Sequence, residues 1–135
     1  MPVRHGALKH SSDAEARVRA VKIFGRILAA PGGTVARDFS HYLQQFLRRF
    51  TDKKTEIRVE MAKWGSTFLL GVSDEDAAVA KEVVDHFDAR LLDFEEKVRL
   101  ATVHAVCDVA EASPRLVPVE TLERVGARML DKKGG

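Results

Sequence analysis

His104 and Cys107 are three residues apart with Asp108 beside the cysteine, a spacing that would set two metal-binding side chains on one turn of a helix. A closed metal centre needs a second pair, and the other histidines, at positions 5, 10, 41 and 86, do not supply one. As a nucleophile, Cys107 would require a base to take its proton and donors to receive an oxyanion, and neither stands near it in the sequence. Helix packing is the plainer use of a small sulfur-bearing side chain. Gly32-Gly33-Thr34 lacks the lysine and the preceding strand of a phosphate loop, so it reads as a helix stop. Asp74-Glu75-Asp76 and Glu95-Glu96 open helical segments, where carboxylates favour the positive end of the helix dipole without any acid–base role. The expectation is a protein with no catalytic residues, no cofactor and no metal.

Binding chemistry remains. Arg48, Arg49, Lys53, Lys54, Arg58 and Lys63 could share one edge and meet phosphate or an acidic peptide. Asp52, Glu56 and Glu60 are interleaved among them and no aromatic stacking residues accompany them, so a solvated face competes with a functional basic patch. Trp64 is expected as a wedge between helical pairs, with an exposed peptide-binding role as the alternative.

Helices must position these groups. The 135 residues are 45% hydrophobic, 31% charged and 7% aromatic, rich in Ala, Leu, Glu, Lys and Arg, which favours a single all-α unit. One cysteine cannot close an internal disulfide, and the first twenty residues carry no apolar signal run. No stretch approaches the roughly 18 apolar residues of a membrane span. A soluble protein of a reducing compartment, with no membrane partner, is expected. Charge is unevenly spread: residues 1–67 hold 13 Lys+Arg against 6 Asp+Glu, or +7, and residues 68–135 hold 9 against 14, or −5. Copies could therefore associate head to tail, although the composition leaves the oligomeric state open.

A repeat organises the chain. Arg49-Phe-Thr-Asp52, Arg90-Leu-Leu-Asp93 and Arg128-Met-Leu-Asp131 recur at spacings of 41 and 38, and Ile57-Arg58 and Val98-Arg99 follow the first two. That period matches the ~40–47 residues of HEAT and armadillo units. Two registers compete upstream: Asp13 with Val18-Arg19 copies the motif literally, but Arg17, Arg58 and Arg99 are 41 apart and bring apolar positions into line. Ile23 then matches Trp64 and Ala105, and Ile27 matches Phe68 and Val109, with Ser11 where Asp would stand. The second register is preferred.

Each unit reads as helix, loop, helix. The first pair covers about 14–30 and a partner from Asp38, whose Phe39, Tyr42, Leu43, Phe46, Leu47 and Phe50 form an apolar stripe; Pro31-Gly32-Gly33 separates them. The second covers 53–70 and 75–92, and the third 94–112 and 118–130. The third is three residues shorter, in its inner loop or at the start of its last helix. The fold expected is an all-α, HEAT/armadillo-like superhelix of three hairpins, about 13–51, 52–92 and 93–130, within a domain over 13–131. A short segment, 1–12, precedes it and a tail, 132–135, follows. In the links, Asp can cap the next helix while an Arg one turn later reaches the Asp of a neighbouring unit. The alternative is that both are solvated ends.

Leu91-Leu92-Asp93-Phe94-Glu95-Glu96-Lys97-Val98-Arg99, followed by Val106-Cys107-Asp108-Val109-Ala110, resembles the HEAT region of the precocious-dissociation-of-sisters family, plant type. Gly25-Arg26-Ile27-Leu28, Phe46 through Asp52, and Val117-Pro118-Val119-Glu120-Thr121 extend the resemblance over roughly 16–133. It implies a nuclear, chromatin-associated regulator of cohesin and sister chromatid cohesion, with a link to DNA repair. The partners it implies are cohesin subunits or cohesin regulators, and direct nucleic-acid contact is the lesser expectation. Members of that family are many times longer, so the chain is expected to be a piece of such an array. A generic HEAT or armadillo adaptor, in transport or phosphatase scaffolding, is the alternative.

Overall fold

The computed structural model describes residues 13–29 and 40–130. They form six α-helices and no strand: α1 Ala14–Leu28, α2 Ser40–Leu47, α3 Thr55–Leu70, α4 Ala77–Arg90, α5 Glu96–Ala112 and α6 Val119–Met129. Short 3-10 turns at Arg48–Thr51, Asp74–Asp76 and Pro114–Leu116 join or extend them. The helices pair as α1/α2, α3/α4 and α5/α6, and the first helices of the pairs also stack in series, α1 on α3 and α3 on α5. This is the expected all-α, HEAT-like solenoid. None of the described helices is long and apolar enough to cross a membrane.

Local chemistry sets the ends. Asp13 caps α1 by accepting from the Ala16 amide at 3.2 Å. Gly71 closes α3, and Ser113 followed by Pro114 closes α5. The second helix of the first pair is described from Ser40 and tightens into a 3-10 turn from Arg48, while Asp38, Phe39 and Pro31-Gly32-Gly33 lie outside the described residues. Leu43, Phe46, Leu47 and Phe50 are buried as the stripe requires, but Tyr42 is exposed. The three-residue deletion falls in the last helix, since α6 has 11 residues where α4 has 14 and the loops before them are equally long.

The middle helix explains the packing. α1 buries Arg17, Val18, Val21, Gly25 and Leu28, whereas α5 buries Val98, Thr102, Ala105, Val106 and Val109. Shifted by the 41-residue repeat, these are two different faces, and α3 buries nearly the whole of both, from Ile57 to Leu69. Its hydrophobic periodicity is correspondingly blurred, as a helix enclosed on two sides needs. Trp64 is the wedge: it meets Phe46 edge to face at 4.8 Å and stacks on Phe68 at 5.0 Å. Gly25 makes room for it, because a Cβ there would stand 3.1 Å from the indole Cδ1.

Two glycines give opposite expectations. A Cβ on Gly65 would lie 2.7 Å from Phe87 Cζ and 3.1 Å from Val83 Cγ1, so Gly65→Ala should cost about 1–3 kcal/mol by overpacking α3 against α4. Gly126, in α6, has nothing within 4 Å of that position, so Gly126→Ala should add up to about 1 kcal/mol through helix propensity alone. Urea midpoints that moved the same way for both variants would contradict this packing.

Candidate functional site

The links between pairs carry the most organised chemistry. In the first link, Asp52 accepts Arg17 Nε on Oδ2 at 3.2 Å and Arg17 Nη2 on Oδ1 at 3.4 Å. Arg49 Nη1 adds a bond to Oδ2 at 2.8 Å, and the Lys54 amide one to Oδ1 at 2.9 Å. The second link repeats this atom for atom. Asp93 accepts Arg58 Nε at 2.8 Å and Nη2 at 3.1 Å, Arg90 Nη1 at 2.6 Å, and the Glu95 amide at 2.9 Å. Arg58 Nη1 also donates to the Asp52 carbonyl at 2.8 Å, as Arg99 Nη1 does to that of Asp93. The planar guanidinium fork thus spans two successive links, which a lysine could not do.

These bonds settle the register in favour of Arg17, Arg58 and Arg99; Ser11 and Asp131, which would extend the series, lie outside the described residues. The expected helix cap needs correction. Neither Asp sits at an N-cap: Lys54 and Glu95 do, without side-chain cap bonds, and each Asp instead receives the amide two residues on. That geometry is an Asx turn, which frees both carboxylate oxygens for arginine as well. Burial works against the charge on Asp93, but the Arg58 hydrogen bond, the Glu95 amide and the charges of Arg58 and Arg90 outweigh it, holding the carboxyl below its ordinary range.

Ladder formation divides the basic group. Arg58 is buried on Asp93 and Arg49 is paired with Asp52, whereas Arg48, Lys53, Lys54 and Lys63 are exposed, Lys63 lying 3.8 Å from Glu60. The links also differ. Thr51 and Lys53 flank Asp52, while Leu92 and Phe94 flank Asp93, and Phe94 is 80% exposed with the Arg58 guanidinium 5.1 Å from its ring centre. Exposure of Leu92 and Phe94 was legible only as an odd loop, since an apolar run ordinarily signals core.

His104, Cys107 and Asp108 are all exposed on α5, and among the described residues no three His, Cys, Asp or Glu side chains are grouped to hold a metal. Cys107 therefore does not pack as expected. Its counterpart Ser66 is buried because α3 has a helix on both sides.

His86 matters more than its sequence position suggested. Its ring lies flat on Phe50, centroids 4.5 Å apart and planes within 7°. Burial lowers its pKa below 6.5; Glu82 and Asp85 oppose that shift and Arg90 adds to it. The fold thus holds the neutral ring, whereas the unfolded chain takes a proton at about pH 6.5. Stability should fall as pH drops from about 6.5 toward the lower folded value. His86→Phe should remove that loss, seen as urea midpoints that no longer differ between pH 7 and pH 5.5.

The arrangement offers surfaces and rigid spacing, with no assembled reaction centre among the described residues. The family model described as "Sister chromatid cohesion protein PDS5 protein" matches residues 1–134. The Arabidopsis thaliana sister chromatid cohesion protein PDS5 homolog A is 31% identical over 118 residues, 87% of this chain and 7% of that protein. The Danio rerio homolog A is 30% identical over 133 residues, 98% of this chain and 10% of that protein. Homo sapiens PDS5 homolog B is 29% identical over 123 residues, 91% of this chain and 8% of that protein. The chain thus spans a tenth or less of the length of these relatives, but nearly all of it takes part in the match, and it belongs to the PDS5 family of sister chromatid cohesion proteins.

Proposed function

We propose that the chain is a non-catalytic HEAT-repeat scaffold that helps regulate cohesin and sister chromatid cohesion on chromatin, in the nucleus, with a link to DNA repair. The PDS5 family match over residues 1–134 carries this reading. Solenoids act by presenting a rigid, extended surface to partners, and the two-link clamp fixes one unit against the next. The partners are proteins, cohesin subunits or cohesin regulators. Arg48, Lys53, Lys54 and Lys63 are the cations of the basic group left exposed for a direct nucleic-acid contact.

Affinity capture from nuclear extract, with the chain as bait and mass spectrometry as readout, tests the proposal. Cohesin subunits should be enriched several-fold over capture by an unrelated HEAT array. Recovery of transport receptors, phosphatase subunits or ribosomes in their place would point to a generic adaptor and remove the cohesin reading.

A further inference from the structure

The loop that joins α3 to α4 carries a hydroxyl followed by three carboxylates, Ser73-Asp74-Glu75-Asp76. Ser73 is exposed and its backbone is extended, at φ −94° and ψ 163°. It stands between Gly71, where a Cβ would meet nothing within 4 Å, and the 3-10 turn that leads into α4. Its Oγ has one hydrogen-bond partner among the described residues, Asp76 Oδ2, at a long 3.4 Å. Asp74 and Glu75 beside it are exposed. The loop belongs to the middle unit, which has a neighbour on each side, so its exposure owes nothing to the ends of the stack.

Other hydroxyls are held differently. Ser66, Thr102 and Thr121 are buried, while the exposed Thr51 and Thr67 donate to the Arg48 and Lys63 carbonyls within their own turns. Thr51 follows two arginines, but its 3-10 turn is anchored by the fully buried Phe50. Ser113, in the corresponding loop of the third unit, is half-buried and is followed by Pro114, Arg115 and Leu116, none of them acidic. Ser73 alone among these combines an open, extended backbone with a fixed charge pattern.

We propose that Ser73 is the acceptor of an acidophilic serine/threonine kinase, one whose basic groove reads carboxylates on the C-terminal side of the hydroxyl. In the transfer, Ser73 Oγ attacks the γ-phosphorus of ATP. The Oγ–P bond forms as the bond from that phosphorus to the β–γ bridging oxygen breaks; ADP leaves, and the hydroxyl proton passes to the kinase's catalytic aspartate. A phosphate adds roughly 1.5–2 negative charges at neutral pH, so a loop that carries three carboxylates approaches a charge of about −5. The start of α4 favours that charge and the three carboxylates oppose it. The cost is one long hydrogen bond, so the fold stays and the loop edge becomes a switchable anionic surface.

Incubating the full chain with casein kinase II and magnesium ATP, read by intact mass and fragmentation, tests the proposal. One phosphate should be added, at Ser73, at a rate within a few-fold of that for a free peptide of residues 70–79. Ser73→Ala should take up none. The triple variant Asp74→Asn, Glu75→Gln, Asp76→Asn should be labelled several-fold more slowly, and the circular dichroism of the phosphorylated chain should match that of the unmodified one. No label on the folded chain, label on other residues with Ser73 bare, or a rate indifferent to the three carboxylates would overturn the proposal.

Discussion

Arg58→Met is expected to destabilise the chain by about 3–5 kcal/mol, because it leaves Asp93 charged, buried and without its bidentate partner. The loss reaches further than one ion pair, since Arg58 Nη1 also donates to the Asp52 carbonyl in the preceding link. A domain of this size has a total stability on the order of 5–15 kcal/mol, so the loss is a large fraction of it. Adding Asp93→Leu to Arg58→Met should recover much of the loss, because removing both charges also removes the cost of burying them. Urea unfolding of the single and double variants measures this directly. Additive losses would mean that the two side chains do not act as a pair. The single variant should also be less sensitive to acid: the depressed Asp93 pKa adds stability above the ordinary carboxylate range, and that stability is lost as pH falls through the folded value.

Trp64→Ala should cost a similar amount, about 3–5 kcal/mol, for a different reason. The indole fills the space between α1, α2 and α3, touching Phe46, Phe50 and Phe68, and the neighbours cannot collapse into so large a void. Trp64→Phe should cost far less. The indole Nε1 is buried with no hydrogen-bond partner among the described residues, so its removal breaks no bond and ends an unfavourable burial. Far-UV circular dichroism must report the unfolding, because Trp64 is the only tryptophan. Equal losses in the two variants would show that the hydrogen-bonding edge, and not ring volume, is what the site uses.

Much of this architecture was legible in the sequence because repeats write their own alignment. The 41-residue spacing of Arg17, Arg58 and Arg99 located the side chains that clamp the links, and the alignment of Ile23 with Trp64 and Ala105 located a junction. Helix stops at Gly71 and Ser113-Pro114 were equally plain. What failed was anything that depended on which atoms were already occupied. Arg49 looks like a surface cation until Asp52, three residues on, accepts it, and Arg58 reads equally as a clamp on a neighbouring Asp and as a member of a basic patch until Asp93 takes it up. Asp52 and Asp93 look like helix caps, because a cap and an Asx turn draw on the same residue types. Cys107 looks like a packing residue because its helix lies inside a repeat; its exposure follows from α5 being the last first-helix of the described stack. His86 carries no motif, and only the approach of Phe50 gives it a role.

Amide hydrogen exchange, read by NMR, tests the serial stack most directly. If units are layered in a row, α3, enclosed between α1 and α5, should be the slowest-exchanging helix, with α1 and α6 opening well below the global unfolding free energy. Equal protection in all six helices, or an α3 no better protected than the ends, would mean that the helices share a common centre and that the layered account is wrong.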